Sequence, residues 1–424
     1  MEILLKNVRI ATGTHTGPPQ DIRIDAGGTI RAVGKNLPPE PGVREWSFGK
    51  AEAFVCPGWM DVGAYTGDPG YEHREDLHSA ARAAAAGGFT AVACMPNTLP
   101  AVDSKSAVAY IRNKTAAGAV AFFPIGAVST HTEGKDLAEL FDMHAAGAVA
   151  FSDGYRPLQD AGLLLRALQY AQAFNGIILH QPHHITIAAG GQMHEGVVST
   201  MLGLKGIPAL SEEVTVQRDL SLLEYAGGRL HLHLLSTRKS VAMVRAAKAA
   251  GLPVTASVAV ANLCFTDEKL ATFDSNWKVL PPLRDESHRQ ALLEGLADGT
   301  IDFICSNHSP WDPEAKNLEF PYAEFGMSGI ETAFSLCRSF LAKQLSVDEL
   351  VQKWAIGPRR VLGLPVPEIK PGARAELSIF APDAEWTPAV NDLHSKSHNT
   401  PFLGQTLKGK VLGVVGNGQV ISFD

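Results

Sequence analysis

The amino-acid sequence predicts an α/β fold: a (β/α)8 TIM barrel joined to a small β-sandwich formed from both termini. Strand-like and helix-like segments alternate through the middle of the chain for about 300 residues, the length such a barrel requires. Both ends read instead as short alternating strands. No glycine-rich phosphate loop follows any central strand, which argues against a doubly wound sheet.

At the N-terminus, segments 2–10, 21–25 and 29–33 alternate apolar and polar residues, the last two joined through Ala26-Gly27-Gly28. Segments 375–380, 408–415 and 419–423 repeat the pattern near the other end, with Gly416-Asn417-Gly418 as a hairpin turn. Neither end has the apolar mass to stand alone, and pairing the two hides sheet edges that each would leave bare. The expected division is a composite β-sandwich of residues 1–56 plus 366–424, and a barrel of residues 57–365. Inside the barrel, strands are expected at 89–94, 120–125, 148–151, 176–179, 229–234, 253–256 and 301–305. The helices between them are expected at 78–86, 104–116, 135–145, 160–174, 211–225, 238–250 and 286–296.

Composition narrows the function classes. The chain has 424 residues, of which 45% are hydrophobic and 19% charged, which excludes a disordered or fibrous protein. Its net charge of −7 and 7% aromatic content argue against a nucleic-acid binder. No run approaches the ~18 apolar residues of a membrane helix, and the opening MEILLKNVRI lacks the basic start and apolar block of a secretory signal. Cys56, Cys94, Cys264, Cys305 and Cys337 are odd in number, far apart and without a CxxC pair, so they read as free thiols of a cytoplasmic protein.

In a barrel the chemistry sits just past the C-terminal ends of the strands. Asp61, Asn97, Asp153, His180, Asn307 and His308 stand there. Asp153 and His180 form one carboxylate–imidazole pair. A catalytic metal takes three or more protein ligands, so by themselves the two read as a hydrogen-bonded polar pair.

Several long strings carry a resemblance: VCPGWMDV, AAAAGGFTAVACMPNTLP (83–100), GAVAFSDG (147–154), LGLKGIP (202–208), STRKSV (236–241), the run 273–310 ending in FICSNHSP, FGMSGIETA (325–333) and SKSHNTPF (395–402). Together they resemble the dihydroorotases of the amidohydrolase superfamily, in the longer class found in complexes with aspartate transcarbamoylase. The similarity runs over essentially the full length. It implies the same barrel and β-sandwich, and the interconversion of carbamoyl aspartate and dihydroorotate.

The resemblance also implies a site that this sequence departs from. Active members begin the barrel with Asp-x-His-x-His-x-Arg, two metal histidines and an arginine that grips the substrate carboxylate; here the segment runs from Asp61 to Gly67, with Gly63 and Tyr65 at the histidine positions and Gly67 at the arginine. Ser152-Asp153-Gly154 is one aspartate short of the family's bridging-carboxylate segment. His180 keeps one later metal histidine, Leu234 replaces another, and Ala261-Asn262 replaces a His-His pair. The catalytic aspartate position is Asn307. The remnants are therefore Asp153 and His180 for metal and Asn97 and Asn276 for substrate, with no catalytic residue and no cofactor expected. Strand alternation sets His231 and His233 opposite Leu232 and Leu234, hence away from the barrel interior unless a bulge intervenes. Tyr65 and Trp311 either fill the emptied pocket, the default for buried aromatics, or line a site for a different ligand; Arg74, Lys105, Arg284 and Arg289 read equally as contacts for an acidic partner surface or as ordinary solvated charges.

Two readings of function follow. One is a catalytically inactive dihydroorotase homologue that scaffolds or activates the catalytic chains of aspartate transcarbamoylase. The other is a working dihydroorotase, or another cyclic-amide hydrolase, with a rebuilt site. A chain that only pairs with a second copy of itself as a homodimer is a third alternative.

Overall fold

The computed structural model describes residues 2–48 and 52–423. Eight parallel strands form the barrel: β1 (Trp59–Ala64), β2 (Phe89–Cys94), β3 (Ala121–Gly126), β4 (Ala150–Phe151), β5 (Ile178–His180), β6 (Leu230–Leu232), β7 (Val254–Ala259) and β8 (Phe303–Cys305). They lie side by side in sequence order. The seam between β8 and β1 is closed by Asp61, whose buried carboxylate accepts the Ser306 backbone N–H at 2.8 Å and its hydroxyl at 2.5 Å. One residue further out, the Tyr65 N–H donates to the His308 carbonyl at 3.0 Å.

Strand periodicity builds two cores. Met60, Val62, Ala91, Ala93, Leu179 and Phe303 face the barrel interior. Val92, Phe122, Ile178, Leu230, Leu232 and Ile304 alternate with them and pack beneath the helices. Both faces of these strands are buried, as expected for a parallel sheet covered on the outside. The helices between the strands include α1 (Leu77–Ala86), α2 (Lys105–Thr115), α3 (Leu140–Ala146), α4 (Ala161–Ala171), α5 (Ala209–Ala226), α6 (Arg238–Ala249) and α7 (Glu286–Ala297). Asp76, Ser104, Asp160, Thr237 and Asp285 cap five of them by accepting first-turn backbone N–H groups, which fixes where those helices begin. The described residues contain no helix long and apolar enough to cross a membrane.

The α3 helix is shorter than the expected 135–145. Leu137 bridges to Ser129 as an extended pair, so residues 128–138 double back and the helix begins only at Leu140. The pairing satisfies backbone groups that a longer helix would have claimed.

Both chain ends share one sheet. Ile3–Ala11 pairs with Thr16–Ile24, Arg44–Trp46 and Phe54–Pro57, and the last of these pairs antiparallel with Leu377–Trp386. Leu407–Gly416 and Gln419–Ser422 extend one edge through the turn at Asn417, and Ile30–Gly34 pairs with Thr16–Ile24 at the other. Ile3, Leu5, Ile22, Ile24, Val55 and Leu377 form its own small core. Trp59 joins this sheet to the barrel: it is fully buried, with ring centroids 4.9 Å from Phe380, 5.0 Å from Phe334 and 5.3 Å from Trp354.

Candidate functional site

A cavity of about 360 Å³ opens at the C-terminal ends of the strands. Tyr65, Asn97 and Asn307 line it, joined by Arg74, Tyr155 and Trp311. Tyr65 and Trp311, whose default was to fill the pocket, wall it instead. The Tyr65 ring leans on Tyr155 at 5.5 Å, and the Trp311 indole N–H is drawn to the Phe325 carbonyl at 2.9 Å. These contacts hold both rings against the walls. Burial raises the Tyr65 phenol, which stays protonated at neutral pH.

The far wall is fixed by two lysines. Lys278 Nζ donates to the carbonyls of Phe320, Pro321 and Ala323, and Lys316 Nζ to those of Ser275, Glu324 and Gly326. Each ammonium thus spends all three donors on backbone. Burial pulls Lys278 down to about 8 and Lys316 to about 7.

Asp153 and His180, expected to bond each other, do not; each is committed to other partners within the protein. His180 Nδ1 meets Asp219 Oδ2 at 2.5 Å, and its Nε2 accepts the Leu158 N–H at 3.0 Å. Asp219 is in turn held by Arg218 at 2.7 and 2.9 Å. With Nε2 accepting, no lone pair of the ring is left for a metal. Asp153 accepts the N–H groups of Val128 at 2.9 Å and Ser129 at 3.0 Å, plus the Ser129 hydroxyl. Burial raises its carboxyl, and the Ser129 bond works against that.

The lost positions are closed as well as changed. Gly63 sits in a bulge of β1 with φ +92, in the left-handed region that side chains other than glycine rarely adopt. A Cβ there would lie 2.4 Å from His233 Nε2. The expectation for His231 and His233 is therefore corrected: both point into the barrel, while Leu230 and Leu232 pack outward. His231 stacks on the interior Phe303 at 4.8 Å, nearly parallel, and both imidazoles bond the Ser257 hydroxyl at 3.0 Å. His233 Nε2 is buried without a partner. Leu234 lies beyond the end of β6 at φ +59, and there it falls into the same interior core.

The other substrate-side residues separate. Asn97 lines the cavity, donating Nδ2 to the Asp153 carbonyl at 2.9 Å while its Oδ1 is buried without a partner. Asn307, at φ +53, donates to the Leu280 carbonyl at 3.2 Å. Asn276 lies in the short helix Ser275–Trp277 and is not part of the lining. Asn262 reaches the Pro282 carbonyl. Arg284, read as a surface charge, is buried and donates to Ser236, His194 and Ile207. Sequence reasoning missed Arg74, Tyr155 and Gln181 as cavity walls; Arg74 and Tyr71 follow directly on the altered Asp61–Gly67 segment, which is the signal that pointed there.

The positions that the resemblance assigns to a two-metal centre thus do not fit one. Among the described residues, one cluster of three metal-competent side chains exists elsewhere: His194, Asp285 and His288, with ligand atoms within 4.8 Å of one another. The Nδ1 of His194 accepts from Arg284 at 3.1 Å, and that of His288 accepts from the Arg238 N–H at 2.9 Å. Those partners only donate, so both Nδ1 atoms are bare and both Nε2 atoms carry the proton. The cluster is a hydrogen-bonded knot.

Buried neutral imidazoles give stability a sign with pH. Burial lowers His233 to about 3 and His194 to about 4, and holds His231 well below its ordinary value. In the unfolded chain each takes up a proton near pH 6.5, so their contribution is complete above 6.5 and is lost as pH falls toward the folded values. Each therefore lowers stability as acid is added below pH 6.5. Denaturant unfolding between pH 7 and pH 4 should show stability falling throughout, and His233→Gln should make the slope shallower by about one histidine's share.

Comparison with known proteins places the chain. A family model described as Dihydro-orotase-like matches residues 53–240. A dihydroorotase of Pelotomaculum thermopropionicum is 45% identical over 373 residues, covering 88% of this chain and 87% of the relative. One of Syntrophus aciditrophicus is 39% identical over 423 residues and covers 99% of each chain. Among solved structures, the L-hydantoinase (dihydropyrimidinase) from Arthrobacter aurescens shares the fold with a TM-score of 0.86 at 23% identity, covering 99% of this chain and 96% of that one. A D-hydantoinase does so with a TM-score of 0.83 at 21% identity, covering 100% and 96%. With this barrel, this terminal sheet and relatives of that identity along nearly its whole length, the chain belongs to the dihydroorotase family, on a hydantoinase-like fold.

Proposed function

We propose that this member of the dihydroorotase family does not run the family's ring opening and closure, and that it works by binding. The observation that carries the proposal is the state of the ligand positions: the space beside Gly63 is taken by the His233 ring, and His180 has no free lone pair. Hydrolysis of a cyclic amide in this family needs a metal that makes hydroxide available near neutral pH. It also needs a group that moves a proton between that hydroxide and the leaving nitrogen. The Asn307 amide neither titrates in that range nor ligates well. Asp61, the other carboxylate of the segment, is occupied in closing the barrel seam.

A second reading is favoured by one specific observation. Relatives 39–45% identical over most of their length are named dihydroorotase, which supports a working dihydroorotase or a related cyclic-amide hydrolase. That reading requires a site rebuilt from groups other than the family's own. The partner we propose, the catalytic chains of aspartate transcarbamoylase, comes from the family resemblance alone, as does placement in pyrimidine biosynthesis in the cytoplasm.

Purified protein supplied with zinc should neither close carbamoyl aspartate nor open dihydroorotate. Turnover reaching about a hundredth of a typical enzyme's ~10 s⁻¹ would establish the second reading. For the partner, co-expression with aspartate transcarbamoylase and light scattering of the eluted material should give one complex, whose interface exceeds ~1,000 Å². Separate elution at micromolar concentrations, with transcarbamoylase fully active alone, removes that partner.

A further inference from the structure

We propose that a second cavity, set between the barrel and the terminal sheet, is a binding site for a free aromatic α-amino acid. It goes beyond the reading of the barrel mouth and holds whether or not the mouth hydrolyses a substrate.

The cavity measures about 410 Å³ and shares no lining residue with the one at the mouth. Ser335 and Glu331 line it from the barrel side, beside the end of α1 at Ala86. Trp386 and Lys410 line it from the terminal sheet, and Asp392 and His394 from the connection between two of its strands. Its volume falls within the ~300–1,000 Å³ of small-molecule sites.

The charged groups divide into one that is spent and three that are not. Glu331 is buried, and its carboxylate accepts the backbone N–H of His394 at 2.8 Å and of Ser395 at 3.0 Å. It also meets His394 Nδ1 at 3.3 Å. That bond raises the His394 imidazole and favours its charged form, in which Nε2 is a donor as well. Nε2 has no partner among the described residues. Lys410 is half-buried, and among the described residues its ammonium has neither a hydrogen bond nor an ion pair. Asp392 spends Oδ2 on the Ala389 N–H at 2.9 Å and has no partner on Oδ1 among the described residues.

Unspent charge of both signs selects a zwitterion. Asp392 and His394 stand two residues apart, so a cation acceptor and an anion acceptor share one short stretch of chain. An α-amino acid carries its ammonium and its carboxylate on one carbon and answers both, with Lys410 as a second anion donor. A simple anion would leave Asp392 opposed to it, and a simple cation would meet His394 and Lys410.

The remaining walls select the side chain. The Trp386 indole N–H donates to Ser335 Oγ at 2.8 Å, and that hydroxyl donates to the Gly409 carbonyl at 2.6 Å. The indole thus has its one donor spent and offers only its faces. Phe423 stands edge-on to His394 with ring centroids 5.3 Å apart. Two fixed rings beside a charged patch suit an aromatic side chain, which stacks on them or meets them edge to face.

Titration calorimetry on the full chain tests this with L-tryptophan against tryptamine, indole-3-propionate and glycine, which lack its carboxylate, ammonium and ring in turn. Tryptophan should bind, and each of the others should bind about tenfold more weakly or worse. Lys410→Met should weaken tryptophan and leave tryptamine, which has no carboxylate, unchanged. Asp392→Asn should weaken tryptophan and leave indole-3-propionate, which has no ammonium, unchanged. Arg74→Met, at the barrel mouth, should change nothing. No binding of tryptophan, equal binding of all the probes, or loss on Arg74→Met in place of Lys410→Met overturns the assignment. If a variant at residue 392 or 410 fails to fold, the probes on the unaltered chain and on Arg74→Met still decide. Turnover of dihydroorotate would overturn the non-hydrolytic reading of the mouth and leave this site standing.

Discussion

The contact between the His233 imidazole and the backbone of Gly63 sets most of what the site is. The interior of a (β/α)8 barrel is a packed core with little room to spare. Once His233 turns inward, its Nε2 occupies the place where a side chain on residue 63 would project. Glycine is then required twice over, by lack of space and by the positive φ of the bulge. Ser257 stabilises the arrangement from the neighbouring strand, bonding His231, His233 and the Leu234 N–H through one hydroxyl. A single histidine restored at residue 63 would meet this packed group, so the change is structural as well as chemical.

The polar groups around the barrel mouth fall into two kinds. His180, Asp153, Asp61 and the two buried lysines have their bonding capacity taken up by the protein, and such satisfied networks make a rigid frame. Arg74 and Asn97 keep capacity in reserve and face the cavity. In an enzyme of this architecture the unspent groups would be metal ligands and a base. Here those that line the cavity are a guanidinium and amides, groups that recognise well and transfer no protons near neutral pH, while the unpartnered His233 Nε2 is packed against Gly63 in the barrel interior. That difference separates a site that holds a ligand from one that transforms it.

The barrel was legible because its strands and helices carry their own periods and the helix starts carry capping residues. The pairing of the two chain ends was legible from the need to cover sheet edges. What was hidden shares one cause. Alternation tells that His231 and His233 oppose Leu232, but in a parallel sheet buried on both sides it cannot tell which face is the interior. Leu234 escapes the alternation altogether because the strand ends two residues earlier. Arg284 read as a surface charge because its acceptors come from residues 194, 207 and 236, remote in sequence. The aromatic walls depend on contacts between loops, Tyr65 with Tyr155 and Trp311 with Arg74 and Phe325, which no local pattern encodes.

The most direct measurement is the zinc content of the intact chain, made in zinc-supplemented medium, desalted without chelator and assayed by elemental analysis. The arrangement around Gly63, His180 and Asp153 predicts no stoichiometric zinc at the barrel mouth, so any metal found should be sub-stoichiometric and indifferent to His180→Ala. Two tightly held zinc ions per chain, kept when His194 is replaced and lost when His180 is, would contradict the account at its centre.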